Sequence, residues 1–197
     1  MPRRRVSTSP LIDPTVCAVI LMAPAAPDLS SISPNLPAWH QQTNAAIAEA
    51  AGVMEVPLFT LLWRPEQPAS PSMSASSPSA RRRFLLEEYD CPWLDRDFVT
   101  ALASEASSLL IVGGFWLEHE ILGTALNALA ACYDVAILVD ITPARHTPAA
   151  WSALDRLGQA GATPIVTSQL IREWMVAAPA GPKRAALRAL LPAPPTA

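Results

Sequence analysis

Ile111-Val-Gly-Gly-Phe-Trp-Leu-Glu-His-Glu120 decides the fold. The run Leu109–Val112 is apolar at every position, as a strand buried on both faces must be. Two glycines end it, and Leu117–Ala131 follows with helical character. A strand that enters a helix through glycines sets unbonded backbone amides beside the strand's carboxyl end, which favours an anion. The glycine pair is a weak nucleotide signal, because neither G-x-G-x-x-G nor G-K-[ST] follows.

Working outward, strand and helix keep taking turns. Val135–Val139 reads as a strand, and Thr147 caps a helix with Pro148 at its first position and Gly161 as its terminator. Pro164–Val166 is a short strand, after which Ser168 caps Gln169–Val176. Upstream, Asp95–Ala106 is helical and Val16–Met22 is an apolar strand. Pro37 opens a helix over Ala38–Ala51, closed by Gly52, before the strands Val56–Trp63 and Phe84–Glu87. The alternation predicts an α/β protein, a three-layer α/β/α sandwich around a mainly parallel sheet of about six strands.

Composition bounds the rest. The 197 residues are 51% hydrophobic and 16% charged, enough for one domain with a buried core and unlike a highly charged disordered chain. A net charge of −3 argues against a nucleic-acid partner held by a positive field. Proline, at 21 residues, is concentrated in residues 1–37 and 65–78 and missing from 93–142, which marks 93–142 as the organised centre. The expected organisation is a flexible arm over 1–14, a domain over 15–176 with a mobile Pro/Ser-rich insertion at 64–83, and a flexible tail over 177–197. Arg81–Arg83 are expected to keep the insertion solvated. Cys17, Cys91 and Cys132 have neither disulfide-scaffold nor zinc spacing, so a reducing, cytoplasmic setting is expected. Arg3–Arg5 ahead of Val16–Ala26 faintly resemble a secretory leader. Asp13 and Pro14 interrupt that pattern, and the apolar run is shorter than the roughly 20 residues a membrane helix needs.

The order of segments resembles the isochorismatase-like cysteine hydrolases over about Val16 to Met175. The resemblance is carried by Trp93-Leu-Asp-Arg-Asp-Phe-Val99, Leu109–Gly114 and Thr124-Ala-Leu-Asn-Ala128. It is most specific in Tyr133-Asp-Val-Ala-Ile-Leu-Val-Asp140 taken with Leu154-Asp-Arg-Leu-Gly-Gln-Ala-Gly-Ala162. It implies a six-stranded parallel sheet, amide or isochorismate cleavage, and an Asp–Lys–Cys triad in which some branches use Arg for Lys. In such a triad a cysteine at a helix start gains thiolate character, the aspartate moves its proton and backbone amides hold the oxyanion.

The resemblance places Ala23 where the family has its aspartate, Leu86 where it has its cation, and Glu120 where it has its cysteine. Alanine and leucine transfer no protons, and a carboxylate attacks amides poorly without neighbours that reshape it. Asp28, Arg83 and Cys91 are the displaced groups to consider in their place. Glu118 matches an acidic residue common before the family's cysteine, and its side chain is expected to diverge from that of Glu120. Gly114, Phe115, Trp116, Leu117 and Glu118 are the expected binding residues, with a cis peptide at Phe115–Trp116. Trp63, Trp93 and Trp116 could stack a flat ligand, although core packing is the ordinary use of tryptophan. Asp140 matches a structural hydrogen-bonding position. His119 between two glutamates lacks metal-ligand spacing, and no cofactor or metal is expected.

The expectation is a catalytically degenerate relative with a binding or assembly role at the former cleft. A hydrolase working through displaced groups and a small-molecule sensor stand as alternatives. A homo-oligomer and a small-molecule ligand are the expected partners, with no membrane and no nucleic acid.

Overall fold

A computed structural model describes residues 11–24, 38–64, 81–87 and 91–192. Asp28, residues 1–10 of the arm, and 65–80 of the insertion lie outside the described residues. Six strands form one sheet: β1 (Cys17–Pro24), β2 (Leu58–Arg64), β3 (Arg81–Glu87), β4 (Leu109–Gly114), β5 (Asp134–Leu138) and β6 (Thr163–Ile165). Their order is β3-β2-β1-β4-β5-β6 and every pairing is parallel.

The helices are α1 (Ala38–Met54), α2 (Arg96–Ser104), α3 (Leu122–Ala130), α4 (Thr147–Gln159), α5 (Thr167–Ala177) and α6 (Pro182–Ala189). Strand alternation divides the core between them. Ala18, Ile20, Met22, Leu110 and Val112 pack with Phe98 of α2, Ala125 of α3 and Leu157 of α4. Cys17, Val19 and Ile111 point the other way, onto Ile47 of α1, Trp174 of α5 and Leu187 of α6. Both faces are covered, as the uniformly apolar strands require.

Several local expectations are corrected. Residues 177–197 are not a loose tail throughout, because α6 seats Leu187 in the core and its Lys183 meets Glu55 at 2.7 Å. Burying one leucine contributes about 2 kcal/mol, enough to hold a short helix that its alanine-rich composition hid. Arg81–Arg83 belong to β3 rather than to a solvated excursion, pairing with Leu58–Thr60 on the sheet edge where charge is tolerated. Arg82 also bonds Glu105 at 2.7 Å and lies over the Phe59 ring. Residues 11–14 of the expected arm are tied down: the Ile12 N–H donates to Glu173 at 2.8 Å, and Asp13 caps the turn Pro14–Val16.

Gly52 does not close α1. The helix runs on to Met54, and Glu55 takes the left-handed turn at φ 59°. Neither Thr147 nor Ser168 is a cap. His146 precedes α4 without a side-chain bond, and the first amide of α5 is served from a distance by Asp140. Gly161, at φ 101°, does terminate α4.

Candidate functional site

The chain moves outward from β1 to β2 and β3, then returns to β4 on the other side of β1. The crevice beyond the carboxyl ends of β1 and β4 is therefore the topological switch point, where open parallel sheets bind ligands. Met22 pairs with Gly114 there. Gly114 has φ 117°, and a Cβ on it would collide with the Met22 carbonyl oxygen and stand 2.7 Å from the Met22 nitrogen. Only glycine fits, which accounts for the second of the two glycines.

Beyond Gly114 the chain crosses a cis peptide at Phe115–Trp116, as the resemblance implies. Leu117–Ile121 then forms a π-helical turn that runs into α3. The amides expected to stand open are engaged by the protein itself. Gly114 N–H donates to Thr142 Oγ1 at 3.3 Å, and Phe115 N–H to the Met22 carbonyl at 3.0 Å. Leu117 N–H donates to the Pro143 carbonyl at 3.0 Å. Trp116 N–H donates to the carboxylate of Glu120 at 3.0 Å. The anion at this helix start is thus the Glu120 side chain, and the expectation of open backbone amides is corrected. Carboxylates are favoured at helix N-termini for the reasons that favour any anion.

Glu118 faces a different partner. Its Oε1 accepts the Arg145 N–H at 2.9 Å, while its Oε2 is buried with no hydrogen-bond partner among the described residues. The guanidinium of Arg145 lies 5.3 Å from the centre of the Trp116 ring, a cation–π arrangement. Arg145 is exposed, and the β5–α4 loop that carries it is pinned by the Leu117–Pro143 and Glu118–Arg145 bonds. Sequence reasoning did not single this arginine out. Its signal was the position alone, a cation in the loop after a central strand.

The other expected positions gather at the same end of the sheet. Ala23 and Leu86 each stand one residue from the end of their strands. Leu86 is buried in the cluster that holds Trp63, Trp116 and Leu117. Arg83 does not replace the cation at Leu86: three residues back on a strand, it lies on the opposite face from Phe84 and Leu86. Trp93 packs edge-on against Phe98 and bonds the Thr124 carbonyl at 3.0 Å, a core role.

Cys17 is at the amino end of β1, where burial and then the charge of Asp13 push its thiol up to about 12. Cys91, half-buried, accepts the Asn127 amide at 3.6 Å, and Cys132 is exposed beyond α3. Among the described residues no three His, Cys, Asp or Glu side chains converge as a metal site would need, and no helix is long and apolar enough to cross a membrane.

Comparison with solved structures places the architecture. The YcaC gene product of Escherichia coli, described as an octameric hydrolase of unknown specificity, superposes with a TM-score of 0.71 at 22% identity over 94% of this chain and 91% of that one. The fold is isochorismatase-like. An isochorismatase family protein from Desulfovibrio vulgaris aligns at TM-score 0.63 and 16% identity, covering 83% of this chain and 99% of that one. Among curated proteins, the probable hydrolase YcaC of Escherichia coli is 33% identical over 86 residues. That stretch spans 42% of this chain and 41% of the relative, less than half of either. No family model matches the chain.

Proposed function

We propose that this isochorismatase-fold protein is catalytically degenerate and acts by binding at the former active-site crevice. The observation that carries the proposal is Glu120: at the position of the family's cysteine it bonds the Trp116 amide of its own helix. A carboxylate that accepts this N–H occupies a donor that an oxyanion would need. Ala23 and Leu86 provide neither a proton shuttle nor a cation at the other two positions. The exposed Arg145, its guanidinium lying over the buried Trp116 ring, offers a positive charge, which fits a small anionic ligand.

The protein works as a homo-oligomer, in line with the octamer described for the E. coli structure. Cys17, Cys91 and Cys132, which form no disulfide among the described residues, suit a reducing, cytoplasmic setting. The proposal includes no nucleic-acid or membrane partner and no cofactor.

A second reading, a divergent hydrolase of amide or isochorismate-like bonds, is favoured by the description of the curated relative as a probable hydrolase. Thermal shift measurements against small amides, their acids and isochorismate-like compounds, with product analysis of the same mixtures, separate the two. Ligand-dependent stabilisation without product supports binding. Steady product release supports the hydrolase.

A further inference from the structure

We propose that the outer face built by the turn Pro92–Leu94, α3 and α4 is the surface on which a second copy of this chain docks. The inference rests on the homo-oligomer part of the proposed function and adds the surface.

Two large apolar side chains stand out in water on the elements that flank α3. Leu94 is 81% exposed on the turn, and Trp151 is 72% exposed on α4. Trp93 Nε1–H bonds the Thr124 carbonyl at 3.0 Å and the Asn127 amide reaches Cys91, so the turn is fixed against α3. On the other side α3 packs against α4. The helix between them carries no charge: from Ile121 through Tyr133 there is no Asp, Glu, Lys or Arg, although Asn127 and Ala130 are exposed.

That absence of charge points to a second copy rather than to an unlike partner. Across a two-fold axis a patch meets itself, so each charge near the axis faces its own sign. A charge-free helix flanked by tryptophan and leucine avoids that repulsion and supplies the aromatic anchor common at interface centres. On the same face α4 carries exposed Asp155 and Arg156, one charge of each sign, whereas on the opposite layer α5 and α6 carry Arg172, Glu173, Lys183, Arg184 and Arg188, mostly of one sign.

The test is sedimentation velocity on the full chain at low micromolar concentration, with far-UV circular dichroism to confirm folding. The unsubstituted protein is expected to be assembled. Ala130→Arg places a charge against its own copy, and Trp151→Glu removes the anchor; each is expected to weaken self-association by about tenfold or more. Val176→Glu, an exposed change on α5, is expected to leave the assembly intact. If Ala130→Arg fails to fold, Trp151→Glu decides. Assembly that survives both substitutions overturns the surface and leaves oligomerisation standing. A monomeric unsubstituted protein overturns both, and neither result bears on whether the crevice is catalytic.

Discussion

Glu120 Oε2 and the Trp116 amide, 3.0 Å apart, tie the position that the resemblance assigns to the nucleophile to the backbone just ahead of α3. The bond is local, four residues apart, and spans the π-helical turn at the start of α3. It gives Glu120 a structural role that can be measured apart from any chemistry. Glu120→Ala is expected to cost about 1 kcal/mol, the ordinary loss for removing a helix N-terminal acceptor, with Glu120→Gln losing less. Urea denaturation checks it. A gain in stability instead would mean that Glu120 is held under repulsion from Glu118, as groups at working active sites often are.

Gly114→Ala is expected to lose roughly 3 kcal/mol or more, or to fail to fold. The added Cβ meets the Met22 backbone in a conformation that side chains rarely adopt. Gly161→Ala is the comparison, because Gly161 also has positive φ but open space around it. It is expected to lose only about 1–2 kcal/mol. Equal losses in thermal denaturation would contradict the close β1–β4 approach.

Asp140→Ala is expected to destabilise the fold by about 1–2 kcal/mol. The Asp140 carboxylate accepts the Thr167 N–H at 3.0 and 3.1 Å and the Thr167 hydroxyl at 3.1 Å, joining the end of β5 to the start of α5. Hydrogen exchange at the α5 amides is the specific readout, and protection there should fall first.

Cys17 predicts an alkaline dependence. Its folded-state value of about 12 is raised, so the folded protein holds the thiol proton more tightly than the unfolded chain does. The associated stability is complete below the unfolded thiol pKa of about 8.5 and is lost as pH rises from there toward the folded value. Cys17→Ala should therefore narrow its stability deficit relative to the unsubstituted protein between pH 7 and pH of about 10. A deficit that stays constant would contradict the raised thiol. In native labelling the exposed Cys132 should react well before Cys17.

Much of this architecture is legible in residue order. The apolar runs at Val16–Met22, Leu109–Val112 and Val135–Val139 became β1, β4 and β5 to within two residues at each end. A strand covered on both sides cannot hide its composition. What escaped is what depends on distant partners. The arginines of β3 become strand through pairing with Leu58–Thr60. Helix α6 exists because Leu187 finds a core built by α1 and α5. The cap of α5 comes from Asp140, 27 residues away. At the crevice, the residue types at 23, 86 and 120 could be read directly, and so could the divergence of Glu118 from Glu120. The engagement of the Gly114, Phe115 and Leu117 amides could not, because their acceptors lie at Thr142, Met22 and Pro143. Arg145 escaped for the same reason, since only folding sets it over Trp116.

The measurement that bears most directly on Glu120 is product release by the unsubstituted protein and by Glu120→Ala, side by side, over small amides and isochorismate-like substrates. The account predicts no enzyme-dependent product from either protein, with both chains folded. Turnover by the unsubstituted protein that disappears in Glu120→Ala would contradict it and make Glu120 a working catalytic group.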